Sequence, residues 1–320
     1  MKKVELIVYD PNWIKQFESE RNVFFELLSE EIINIFHIGS TSIPNMWAKP
    51  IVDLLIEVKD INNIDQYQKQ CEKLGYTYCG EYGIPNRRYL EKEIEGLPQY
   101  HIHIFQYGDP EIKKHLDFKR YVMEHNEAFI AYRDIKIEGA NSFNENREKY
   151  QEYKSNVIQK IDEKAAALYQ NSLTPMRKIK KLLTYQQCVE ILSSKTHYGT
   201  LSFYTDLPYL LPLNHLYYDH TLYFHSGMSG YKQKGLHQPV CFNVVHDLGI
   251  NEAATTNNFE SVMVYGVLEE EIENRELILN KLIDRYTPSR QDYKASIPLN
   301  KGCRVFKVKI QYMVGKKHFH

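Results

Sequence analysis

Read for the spacing of apolar residues, the chain changes character near its middle. Ile14, Phe17, Phe24, Leu27, Leu28 and Ile32 recur at helical intervals to about Glu31, an amphipathic helix opened by Asp10 as cap and Pro11 at its first position. Phe36 to Val58 then reads strand, Gly-Ser turn, loop, strand. Ile64, Tyr67, Cys71 and Leu74 predict a helix stopped by Gly75. Tyr100 to Phe105 alternates, which puts His101, His103 and Phe105 on one face of a strand. Asp109-Pro110 opens another helix, and Ser142 with Glu145 predicts a capping box for a long charged helix reaching Tyr169.

Helical periodicity stops over Gln170 to Lys178, so the domains are expected at residues 1–170 and 171–320. Beyond the break, Thr184 and Gln187 cap a helix ending near Ser194. Short runs rich in branched and aromatic residues follow, at about 198–204, 208–216, 221–226, 239–246, 259–269 and 303–313, with a helix near 274–286. Consecutive antiparallel strands with few helices predict a small β-barrel. The fold class is α+β, an α/β domain followed by a barrel.

Composition narrows the classes. Apolar residues make up 43% of the 320 positions and charged residues 25%, the balance of a globular protein with real cores. The net charge of −1 provides no basic field for a nucleic-acid or membrane-surface partner. The 25 tyrosines are expected mostly as half-buried strand residues. Cys71, Cys79, Cys188, Cys241 and Cys303 are scattered, with no CxxC pair to suggest zinc or a disulfide framework. No apolar signal core opens the sequence and no run reaches the length of a membrane span, so the expected location is the cytoplasm.

Candidate chemistry in the second half centres on Leu207 to Lys232. Two strands lead to His225-Ser226, followed by Gly227, Ser229, Gly230 and Lys232. Glycine-freed backbone N–H groups, a hydroxyl and a cation are what a phosphate requires, and an ordinary solvated loop is the alternative. The stretch resembles the flavin-binding segment of the pyridoxamine-phosphate-oxidase-like split barrels, nearest their nitroimidazole-resistance branch. The likeness runs from Met176 to Lys317 through GTLSF, LPYLLPLN, LYFHSGMSGYK and ESVMVYG, in order. It implies FMN bound across a homodimer formed through the barrel. Ser226 and Lys232 would meet the phosphate, Pro212, Leu213 and Asn214 would lie beside the ring, and His225 would be the catalytic histidine near the cofactor. The wider family often carries a Ser-Arg-Lys clamp where this chain has Gly230-Tyr231-Lys232, so one bidentate phosphate contact is missing. His215, His220, His237 and His246 lack metal spacing and are read as surface or loop residues.

In the first half, HIGSTSIP, AKPIVDLLIEV and YHIHIF together resemble the GrpB family, whose fold is nucleotidyltransferase-like. The likeness covers about residues 5 to 165. It implies a phosphate at Gly39 and Ser40 and a divalent metal at Asp53, but the second carboxylate position is Leu55. Glu57 is no substitute, because four residues at roughly 3.3 Å each set it about 13 Å along the strand. His103 is a replacement ligand, and Lys49 or Arg87 could neutralise phosphate. Packed strand-face histidines, and an Asp53 that merely fixes the turn, are the structural alternatives. No GxxxxGK[ST] loop is present, so a kinase assignment is rejected.

The leading expectation is an FMN-dependent oxidoreductase acting on a small substrate, with a nitroaromatic as one candidate. The alternatives are a non-catalytic flavin or haem sensor, and nucleotide binding or nucleotidyl transfer by the first domain.

Overall fold

The computed structural model describes residues 5–170, 181–194, 198–292, 294 and 302–319. The chain divides into two compact units, Met1–Ile179 and Lys180–His320. Residues 171–180, where the expected boundary falls, lie outside the described residues.

The first unit opens with α1 (Asn12–Leu28), which buries Trp13, Phe17, Phe24 and Leu28. The sequence carries the helix to Glu31, but Ile32 already begins β1 (Ile32–Ile38). Asp10 Oδ1 accepts from Asn12 N at 2.9 Å, so Asp10 satisfies a free N–H at the helix start as expected. β1 runs antiparallel to β2 (Val52–Val58), which pairs in parallel with β5 (Leu97–Gln106). β4 (Arg88–Ile94) and β3 (Tyr76–Tyr78) complete a five-stranded sheet of order β1-β2-β5-β4-β3. The helix expected over Ile64 to Leu74 is a 3-10 segment, Ile61–Tyr67, followed by α2 (Gln68–Lys73). α3 (Pro110–Glu124) is capped by Asp109 as its sequence predicts. Next comes α4 (Asn126–Ser142), which the sequence analysis did not separate. Ser142 ends α4 and does not cap α5 (Arg147–Leu168); Asn146 caps α5, accepting from Lys149 N. Tyr121, Val122, Ala128, Tyr132, Ile161 and Ala165 join α3, α4 and α5 around Ile43 and Met46.

The second unit begins with α6 (Tyr185–Ser193), held by the Thr184–Gln187 capping box. Its strands are β6 (Gly199–Tyr204), β7 (Pro208–Leu213), β8 (Leu216–Tyr218), β9 (Thr221–Gly227), β10 (Pro239–Asn251), β11 (Thr256–Glu270) and β12 (Cys303–His318). They form one seven-stranded antiparallel sheet of order β7-β6-β10-β11-β12-β9-β8. The run expected at 208–216 is split at Asn214-His215. A two-residue turn follows, with Asp219 and His220 both at positive φ, the conformation that two-residue hairpins require.

Strand alternation sorts the side chains. Leu222 and Phe224 enter the main core with Leu201, Phe242, Val264 and Phe306, whereas Tyr223 and Val305 turn to the other face. There they meet Ile278, Leu279 and Leu282 of α7 (Arg275–Tyr286). Burial of such apolar faces, at about 25 cal/mol per Å2, is what holds the sheet between α6 and α7. Among the described residues no helix is long and apolar enough to cross a membrane.

Candidate functional sites

In the second unit, the end of β7 and the end of β9 meet at a pocket of about 420 Å3. Pro212, Leu213, Asn214 and His225 line it, together with Tyr198 just ahead of β6. The four residues singled out on two separate strands are thus brought to one wall. Tyr198 was missed; it opens the run expected as a strand at about 198–204, is 65% exposed and stands one residue ahead of β6, so alternation marks it as a strand end and not as a pocket residue.

His225 has a lowered pKa, first because protein packed around the ring penalises its charged form and then because Lys232 repels a second cation. Lys232 sits half-buried on a 3-10 turn, Tyr231–Gly235, and burial lowers its own pKa. Neither it nor Ser226 lines the pocket. Ser226 is buried, one residue beyond His225 on β9, and pairs in register with Arg304 of β12. Arg304 is engaged with Glu270, Nε to Oε1 at 2.7 Å. Arg275, at the start of α7, donates from Nε to the Cys303 carbonyl at 2.9 Å, and Cys303 pairs in register with Gly227. His215 corrects the sequence reading: it is fully buried, with Nε2 at 2.9 Å from the Leu192 carbonyl, its backbone N–H donating to the Tyr286 hydroxyl and its backbone carbonyl accepting from that hydroxyl. It joins α6 and α7 to the turn after β7.

In the first unit, Gly39 ends the β1 turn at φ +67° and ψ −173°, a region reserved to glycine. A Cβ there would lie 2.9 Å from Asp53 Cγ, so the carboxylate packs directly on the turn. Ser40 Oγ lies 3.0 Å from the Tyr132 hydroxyl, and His37 Nε2 lies 3.0 Å from Thr41 Oγ1. Asp53 Oδ1 is 3.1 Å from His101 Nδ1 and 4.0 Å from His103 Nε2. His101, not His103, is therefore its nearer partner. Alternation placed both on this face but gave no means of ranking them. Burial pushes the Asp53 carboxyl up, yet the hydrogen bond from His101 and the nearby imidazoles hold it below the ordinary carboxylate range.

Arg87 is buried. Its Nε donates to the Glu81 carbonyl at 3.2 Å and its Nη2 to the Tyr82 carbonyl at 2.6 Å, and it stacks on Tyr89. His103 Nδ1 is 3.3 Å from Arg87 Nη1. Lys49 lies instead over the Tyr150 ring. Glu57 is buried and accepts from Asn34 Nδ2 at 2.7 Å, away from Asp53. Among the described residues no group of three or more His, Cys, Asp or Glu side chains could hold a metal ion.

The histidines make an acid-sensitive unit. His37 is lowered to about 3 by burial and then by Lys119; His103 is lowered to about 3 by burial, with Asp53 opposing. Both stay neutral in the fold while the unfolded chain binds protons below about 6.5, so stability falls as pH drops. Glu57, raised to about 7 chiefly by burial, acts in the opposite sense between pH 7 and 4.5. At about 1.4 kcal/mol per group and pH unit, His37, His103 and Glu57 together contribute a loss of about 1.4 kcal/mol per unit from 6.5 to 4.5, and His115, also lowered by burial, acts in the same sense as the two histidines. The loss from those three doubles below 4.5, where Glu57 no longer compensates. Urea unfolding followed by tryptophan fluorescence at several pH values checks this, because both tryptophans, Trp13 and Trp47, belong to this unit. A flat profile from 6.5 to 4.5 would contradict it.

The first unit is an α/β domain built on a five-stranded mixed sheet, and the second is a seven-stranded antiparallel sheet packed between two helices. Residues 3–164 match the family model of the GrpB proteins, and residues 184–317 match that of pyridoxamine 5'-phosphate oxidase. The chain belongs to the GrpB family, with a pyridoxamine-phosphate-oxidase-like domain at its C-terminal side. YqkA of Bacillus subtilis is 38% identical over 164 residues, which are 51% of this chain and 48% of YqkA, so the match spans about half of that relative. A crystal structure of GrpB from Enterococcus faecalis is 36% identical, with a TM-score of 0.50, and covers 52% of this chain and 100% of that one. For the second unit, a structure described as a 5-nitroimidazole antibiotic resistance protein from Bacteroides thetaiotaomicron is 26% identical. It covers 42% of this chain and 86% of its own, with a TM-score of 0.35.

Proposed function

We propose that the second unit binds FMN in the pocket between Tyr198, Pro212 to Asn214 and His225. There it passes electrons to a small oxidised molecule, a nitroaromatic being the first candidate, and it does so as a cytoplasmic homodimer. The observation that carries this reading is the convergence of Pro212, Leu213, Asn214 and His225 on one cavity, within a domain matching the pyridoxamine 5'-phosphate oxidase family.

The residues present suit the cofactor. About 420 Å3 falls in the range of small-ligand pockets, and the lining combines apolar walls with a few polar groups. Pro212 and Leu213 offer a flat apolar face, Asn214 offers donors and an acceptor, and His225 offers a neutral imidazole favoured by its lowered pKa. Lys232, half-buried on the turn after β9, provides positive charge for a phosphate. A bound flavin supplies the redox chemistry, so the chain's task is to orient, to exclude water and to place charge. Leu207 and Leu210 are 73% and 65% exposed at the turn and on β7, apolar side chains that a second copy would cover.

The test is an absorbance spectrum of the purified chain with and without FMN, a fluorescence titration, and the mass in solution. A bound flavin spectrum, quenching on binding and a dimer are expected. No quenching at micromolar FMN would remove the proposal. Tight binding without turnover by NAD(P)H and acceptors would leave a flavin-binding sensor in its place.

A further inference from the structure

The pocket residues of the second unit sit where the sheet holds them least, at strand ends and just beyond them. One helix reaches behind three of those places. Asn214 and His215 fall between β7 and β8, outside the ladder of either strand. There the Tyr286 hydroxyl takes the part of a neighbouring strand: it accepts from the His215 N–H at 3.1 Å and donates to the His215 carbonyl at 2.7 Å. Arg285 serves the end of α6, where the last carbonyls of a helix have no partner within it. Its Nη1 donates to the Ser193 carbonyl at 2.7 Å, and its Nη2 to those of Leu192, at 3.3 Å, and Ser194. Tyr198 follows that helix end in the chain. At the opposite end of α7, Arg275 Nε donates to the Cys303 carbonyl at 2.9 Å, across the ladder from Gly227 and just beyond His225.

The helix is itself firmly held. Ile278, Leu279 and Leu282 are buried against Leu216, Tyr223 and Val305. Ahead of its first turn, the buried Glu271 accepts from the Asn274 N–H at 2.9 Å and from Lys307 Nζ at 3.1 Å. At about 1.5 Å of rise per residue, Arg275 and Tyr286 stand roughly 16 Å apart on a rigid spacer. Apolar burial attaches α7 to the sheet, but burial has no direction and does not choose which backbone group faces which. Hydrogen bonds to particular N–H and C=O groups do choose, because they weaken steeply as the angle departs from linear.

We propose that α7 is the strut that sets the shape of this pocket, with Tyr286, Arg285 and Arg275 as positioning residues, none of which lines it. Their bonds hold the chain after Asn214, ahead of Tyr198 and beyond His225 in one arrangement. That the occupant is a flavin rests on the reading above; that α7 fixes the shape does not. A wall in its binding shape only a tenth of the time weakens every ligand of that wall about 10-fold, whatever charge the ligand carries.

Three variants of the full chain test this. Tyr286→Phe keeps the ring and removes the hydroxyl, Arg285→Ala removes the contacts to the α6 carbonyls, and Ile278→Val trims the same apolar cluster without touching a bond to the pocket's flanks. In flavin-fluorescence titrations, Tyr286→Phe and Arg285→Ala are each expected to weaken FMN and riboflavin alike, by about 10-fold, and to move the bound-flavin absorption bands toward those of free flavin. Ile278→Val should lose comparable stability to urea, yet hold both flavins within about 3-fold of the unchanged chain with its bands in place. A readout without ligand is the His215 amide, whose hydrogen exchange should rise at least ~10-fold in Tyr286→Phe and stay as it was in Ile278→Val. Flavin binding by Tyr286→Phe within about 3-fold of the unchanged chain would overturn the proposal. So would an Ile278→Val chain weakened as much as Tyr286→Phe, or His215 exchange that is the same in both. If the unchanged chain takes up no flavin, the flavin reading falls, and the exchange result alone decides the role of α7.

Discussion

Lys232→Glu is expected to weaken FMN binding by at least ~100-fold while leaving riboflavin within about 3-fold of its original affinity. Lys232 is half-buried on the turn after β9, and its charge reaches both His225 at the pocket and Cys303 opposite Gly227. A hydrogen bond to a charged group contributes roughly 1.5–3 kcal/mol, and reversing the sign adds repulsion. About 3 kcal/mol corresponds to ~100-fold in affinity. Riboflavin has the ring without the phosphate, so it separates loss of the anion contact from damage to the pocket. A second readout needs no ligand. Lys232 lowers the His225 pKa, so the variant should raise it, measurable by NMR titration of the imidazole. Equal loss of FMN and riboflavin, or no loss of either, would show that Lys232 does not serve a phosphate.

The parts of the fold that could be read in advance are those where alternation and caps agree. Phe36 to Val58 combines branched apolar runs with a Gly-Ser turn, and it forms the end of β1, the turn and β2. β4 was not legible, because Arg88 to Ile94 interleaves charge with apolar residues in a pattern that also suits a solvated loop. The Ser142–Glu145 signature was real as a local pattern, but α4 continues through Ser142 and Asn146 offers a cap in the same segment. Competing local signals of similar strength are settled by packing, which the sequence does not display. His215 shows the same limit. A lone histidine between Leu213 and Leu216 reads as a turn residue until Leu192 and Tyr286 arrive from two helices to bond it. The pocket was legible because its residues cluster on two strand ends.

Gly39→Ala is expected to destabilise the first unit by about 4 kcal/mol and to separate Asp53 from His101. Two costs combine. Gly39 occupies a backbone region that other residues enter only at about 1–3 kcal/mol, and the added methyl meets the Asp53 side chain, with Cγ at 2.9 Å and Cβ at 3.2 Å. Overpacking of that kind costs a further 1–3 kcal/mol or so. Asp53 cannot yield freely, because its strand is fixed between β1 and β5 and its Oδ1 is at hydrogen-bond distance from His101. Gly96→Ala is the control: it has φ +76° but open space around the new Cβ, so only the backbone term applies, about 1 kcal/mol. Urea unfolding monitored through Trp13 and Trp47 isolates this unit from the barrel. If the two variants lose the same stability, the contact between carboxylate and turn contributes nothing beyond backbone strain. If Gly39→Ala loses far more, that contact is what shapes the site.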